Sequence, residues 1–209
     1  MEICVFAETV QVDQISYEKL VERIFTEHFE IDKPTIRKLA NIIIRGKPNL
    51  FTQLPYLLGR ITRKYSGINC VFIFADADGE YPSITNSERR RVREKIHKFR
   101  DNFAGEVIVG VPTRNIEAWL LSDIGSINTN TDLAISINYK QSEEIKDPKT
   151  EFTKIYSAYR KITNDPLDYP ELVNQLFSTI DINLVRKSSR SFEKLLIDLR
   201  TYLKRVGEI

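Results

Sequence analysis

At 209 residues, with 42% hydrophobic and 29% charged side chains, the chain can bury one sizeable core and lacks the bias of a disordered protein. A net charge of +2 does not mark a nucleic-acid binder, two histidines and two cysteines supply neither a zinc cluster nor a disulfide framework, and no apolar run is long enough to span a bilayer. These limits predict one cytoplasmic domain over 1–209 with Cys4 and Cys70 as reduced, buried hydrophobes, and they leave carboxylates as the metal-ligating chemistry at hand.

In chain order, Glu2-Ile3-Cys4-Val5-Phe6-Ala7-Glu8 predicts a short buried strand ending in a carboxylate. Tyr17, Leu20, Val21, Ile24 and Phe25 then repeat at helical spacing, so Glu8 falls at a strand-to-helix junction, where it is either a helix-terminus charge or a site acid. Asp32-Lys33-Pro34 carries the signature of a helix start, with Ile36, Leu39, Ala40 and Ile43 as its buried face. A further helix is expected over 51–65, with Pro55 near its first turns, stopped by Ser66-Gly67.

The next stretch is the centre of the sequence. Val71-Phe72-Ile73-Phe74 is a strand with no polar alternation, as a strand buried on both faces requires, and Asp76-Ala77-Asp78 follows it directly. Residues i and i+2 of an extended chain project to the same side, so the two carboxylates can converge on one point. Their repulsion is relieved by a cation, and oxygen-only ligands favour Mg²⁺ or Mn²⁺ over zinc. The competing reading is an ordinary loop, with one aspartate capping the next helix and the other solvated.

Arg89, Arg90, Arg91, Arg93, Lys95, Lys98 and Arg100 then accumulate on a helix whose Val92, Ile96 and Phe99 face inward; this is a phosphate-binding stripe or a solvated face. A third strand is expected over 106–111. Alternation of strands with helices argues for a parallel sheet. Glu117, set among Ile116, Trp119, Leu120 and Leu121, is drawn toward the core and needs a partner, which Arg114 or a metal would supply. Beyond 125 the chain reads as helical, with a weakly periodic loop over 127–139 that has room for one short helix, and helices from Asp147-Pro148, around Leu172 to Phe177, and from Ser188 or Ser189. The expectation is a sheet-bearing core over 1–125 with a helical extension over 126–209 packed on it.

The acids resemble a known set. Glu8 after the first strand and Asp76-Ala77-Asp78 after a later one look like the signature of the Toprim domain of topoisomerases, primases and OLD-type nucleases. Arg114-Asn115-Ile116-Glu117-Ala118-Trp119-Leu120-Leu121-Ser122-Asp123, Asp147-Pro148-Lys149 and Ser188-Ser189-Arg190-Ser191-Phe192 resemble a bacterial Toprim-like family of unknown function, several members of which look like partners of an ABC-type ATPase in anti-phage systems. The family commonly has glycine after the first glutamate and a second acid soon after; this chain has Thr9, with Asp13 as the next acid.

The resemblance implies a Toprim-like, Rossmann-like sheet and a Mg²⁺- or Mn²⁺-dependent nuclease acting on DNA or RNA. Glu8, Asp76 and Asp78 would be catalytic and metal-binding, Glu117 and Asp123 would complete the metal shell, and Arg114, Lys187 and Arg190 would contact phosphate. Two alternatives stay open: a degenerate module that binds or regulates an ATPase partner, and a small-nucleotide hydrolase on the same sheet. Self-association is undetermined, and the absence of a Walker motif means that energy from ATP would have to arrive through another chain.

Overall fold

The computed structural model describes residues 1–8, 13–38, 44–77, 82–136 and 142–209, with backbone alone at 13–14 and 82–86. It is an α/β structure with four parallel strands, β1 (Glu2–Ala7), β2 (Thr35–Ile36), β3 (Ile68–Phe74) and β4 (Glu106–Gly110), in the order β2-β1-β3-β4. Ala7 pairs with Phe74 and Phe74 with Gly110, so β1, β3 and β4 end in line.

Period-two alternation divides the strand side chains between two cores. Ile3, Val5, Ala7, Phe72, Phe74 and Ile108 face α1 (Asp13–Arg23) and the C-terminal helices. Cys4, Phe6, Val71, Ile73, Val107 and Val109 face α2 (Gly46–Lys64) and α3 (Pro82–His97). Helices cover both faces, which is why the strands carry no polar alternation. At the sheet's rim Phe74 lies so close to Gly110 that a Cβ there would sit 2.3 Å from the ring, and Tyr17 stacks on the same ring at 3.9 Å.

β2 stands where the sequence predicts a helix. The signal at Asp32-Lys33-Pro34 is local, whereas the open side of β1 offers real partners: Thr35 N–H donates to Met1 O and Arg37 N–H to Ile3 O. Pro34 lies just before the first strand residue, a position that proline tolerates. Leu39, Ala40 and Ile43 of that expected helix lie outside the described residues. The helix expected over 51–65 begins earlier, at Gly46, whose φ of +78° favours glycine and whose N–H donates to Glu8 O, placing Pro55 inside the helix.

The second half consists of α4 (Glu117–Leu120), α5 (Ile124–Thr131), α6 (Pro148–Ile162), α7 (Tyr169–Phe177), α8 (Ile182–Ser188) and α9 (Arg190–Val206). Short polar side chains start most of them: Asp123, Asp147, Asp168, Asp181 and Ser189 each accept a backbone N–H at a helix N-terminus. Trp119, Phe152, Leu172, Phe192, Leu195 and Leu199 join the core against β1 and β3. No described helix is long and apolar enough to cross a membrane.

Candidate functional site

The connection leaving β1 passes through α1 on one face of the sheet, and the one leaving β3 passes through α3 on the other. The strand order therefore reverses between β1 and β3, and in open α/β sheets the crevice beyond the carboxyl ends of such a pair is the usual ligand site. Glu8 directly follows β1, and Asp76 lies two residues past the end of β3. The Glu8 Oε2 accepts the Asp76 backbone N–H at 3.2 Å across 68 residues of sequence, and both side chains are half-buried. Two carboxylate residues are thus side by side at the switch point.

The floor comes from the loop after β4. Ala75 N–H donates to Gly110 O, Ala77 N–H to Pro112 O and Arg114 N–H to Ala77 O, so strand-like pairing continues past the sheet, with Ala77 and Thr113 bridged in parallel. Thr113 Oγ1 and Asn115 Oδ1 are buried there without a hydrogen-bond partner among the described residues. Buried oxygens of this kind are normally satisfied. They are oxygen donors, the kind that suits Mg²⁺ or Mn²⁺ better than zinc. Asp78 lies outside the described residues, and no group of three or more His, Cys, Asp or Glu among the described residues is arranged to hold a metal.

The other expected site residues have different duties. Asp123 is buried, and its two oxygens accept the N–H groups of Ser126, at 2.9 Å, and Asp181, at 2.8 Å, so one carboxylate starts α5 and ties it to the start of α8. Glu117 is also buried and accepts the Tyr169 hydroxyl at 2.5 Å. The partner that its burial demands comes from α7. Arg114 is buried at a φ of +70° and donates to Lys146 O. Lys187 and Arg190 are exposed, in the last turn of α8 and the first residue of α9.

The basic stripe on α3 is largely ion-paired. Arg90 meets Glu94, Arg91 meets Glu88, and Arg93 meets Asp198 on α9. Arg89 lies 3.9 Å from Glu143, which also accepts the Ser189 hydroxyl and the Ser191 N–H. Burial pushes the Glu143 carboxyl up, but the bonds from Ser191 and Ser189 and the charge of Arg89 outweigh it and hold the group below its usual 4.5. Sequence reasoning missed Glu143 and Tyr169, because each is defined by a partner more than 40 residues away. The three motif stretches meet here: Trp119 Nε1 donates to Ser191 Oγ at 2.9 Å, and the charge of Arg114 acts on Asp147.

Fold and edge together define an α/β protein of Rossmann-like architecture with carboxylates at its switch point. No family model, curated protein or solved structure matches the chain.

Proposed function

We propose that this chain is a metal-dependent phosphodiesterase of Toprim type that hydrolyses DNA or RNA in the cytoplasm, with an ABC-type ATPase as partner in anti-phage defence. The observation that carries the reading is the Glu8 carboxylate on the Asp76 amide at the switch point. Glu8, Asp76 and Asp78 would hold Mg²⁺ or Mn²⁺, which when bound supplies Lewis-acid stabilisation of charge developing on the phosphate. Glu8, oriented by the Asp76 N–H, would accept the proton of the attacking water. The carbonyls of Gly110 and Pro112, by anchoring Ala75 and Ala77, would keep the Asp76 backbone still while this happens.

The test is incubation with Mg²⁺ or Mn²⁺ and plasmid, single-stranded DNA or tRNA in parallel. Cleavage that EDTA and Asp76→Ala both abolish is expected; cleavage that survives Asp76→Ala overturns the assignment. One observation favours a second reading, a non-catalytic module bound to an ATPase: Asp123 and Glu117 are spent on structural bonds, leaving fewer acids for metal. That reading predicts a stable complex and no cleavage with either metal.

A further inference from the structure

α3 and α9 both run antiparallel to β4 and flank it. They meet at Arg93 and Asp198, and the far ends of the groove are marked by Glu143 near the carboxyl ends of the strands and by Glu106 at the start of β4. Its floor is Val107 and Ile108 of β4, which has no further strand beside it among the described residues. The cavity at the Glu106 end is about 310 Å³, and a second of about 420 Å³ continues it past Arg93 toward Arg89.

The charges are layered. Asp198 is shared by Arg93 and Lys194, and Glu106 by Arg100 and Arg205, so each carboxylate neutralises one of two cations. The carboxylates lie beneath, their side chains 23% and 13% exposed, while those of Lys194, Arg100 and Arg205 are 48%, 47% and 56% exposed. At the Glu106 end an approaching molecule meets positive charge first, whereas Glu94, exposed and paired with Arg90, lines the second cavity. The edge carbonyl of Val109 is already taken by Arg93 Nη1 at 2.9 Å, so β4 offers an incoming peptide strand an incomplete ladder. From Lys194 to Arg205 the groove follows α9 for about 16 Å, room for several phosphates.

We propose that the groove between α3 and α9 holds the phosphodiester backbone of a nucleic-acid strand. The inference rests on the nucleic-acid reading of the site and adds a surface that holds the strand. Lys194 and Arg205 are its outer contacts, and phosphate displaces them from Asp198 and Glu106 in part.

The test is fluorescence anisotropy with a labelled single-stranded DNA of about 20 nucleotides, in EDTA, so that binding is read without cleavage. Lys194→Glu/Arg205→Glu is expected to weaken binding about tenfold or more and to lower the salt slope by about 0.7 per lost contact. Arg160→Glu/Lys161→Glu on α6, with the same change in net charge, is expected to bind as wild type. Equal weakening in both variants, no weakening in either, or no binding by the wild-type chain overturns the inference. If the reversed variant does not fold, Lys194→Gln/Arg205→Gln is read the same way. The two proposals fail separately: groove-dependent binding without cleavage in Mg²⁺ or Mn²⁺ sinks the nuclease alone, and Asp76-dependent cleavage with an unchanged KM in the groove variant sinks the groove alone.

Discussion

The acids at the strand ends and the acids of the helical half are the same chemical groups in different settings. Asp123, Asp168, Asp181 and Glu143 accept backbone N–H groups where helices begin, and Glu117 accepts a phenol. Each lowers the energy of a fold that would otherwise bury unsatisfied donors. Glu8 and Asp76 instead lie half-buried beside each other at the edge of the sheet, with one backbone N–H between them. A carboxylate's position in the fold, more than its neighbours in sequence, separates the two settings.

The contrast breaks most visibly at Asp76. Asp76→Ala is expected to abolish metal-dependent cleavage with no loss in Tm, and Glu8→Gln to lower kcat about a hundredfold to ten-thousandfold, the range for removal of a general base. A Tm that falls with Asp76→Ala as far as with a capping aspartate would place Asp76 among the structural acids. For Asp123→Ala the expectation is reversed: about 3 kcal/mol of stability lost in urea unfolding, since two amides lose their acceptor. Cleavage by the remaining folded protein stays at the wild-type rate.

Tyr169→Phe sharpens the same point at Glu117, which keeps its burial and loses its donor. A loss of about 2 kcal/mol is expected, and Glu117→Leu on top of it restores part, as measured by a double-mutant cycle. Removing Mg²⁺ should cost either variant no more stability than it costs the wild-type chain.

The smallest effect is in pH. Burial first, then the charges of Arg93 and Arg100, hold His97 below histidine's usual 6.5, although Asp198 and Glu106 oppose them; burial, then Arg186 and Arg200, act likewise on His28. The unfolded chain therefore takes up these protons first, so stability is whole above about 6.5 and declines as pH falls below it. Glu143, held below 4.5, adds its own loss under more acid conditions. Urea midpoints at descending pH check the sign; a midpoint that rises between neutral pH and pH 5 would contradict it.

Three of the four strands were legible in the sequence, because an apolar run bounded by turn residues needs no distant partner to be read. Asp147 and Ser189 were legible as helix starts for the same reason. β2 was not: two residues long, it exists because Met1 and Ile3 present free backbone groups to it. The basic helix was legible as a helix, but its arginines read as a stripe until α9 and the loop before α6 supplied Asp198 and Glu143.

By itself the sequence determined three of the described strands, most of the described helices, and that Glu8 and Asp76 follow strands, since hydrophobic period and capping act over a few residues. Only the tertiary structure decided that β1 and β3 are neighbours with their helices on opposite faces, which joins Glu8 to Asp76 and gives Asp123 the amide of Asp181. Strand order and long-range hydrogen bonds follow from how the whole chain buries its apolar surface, and no local pattern encodes that choice.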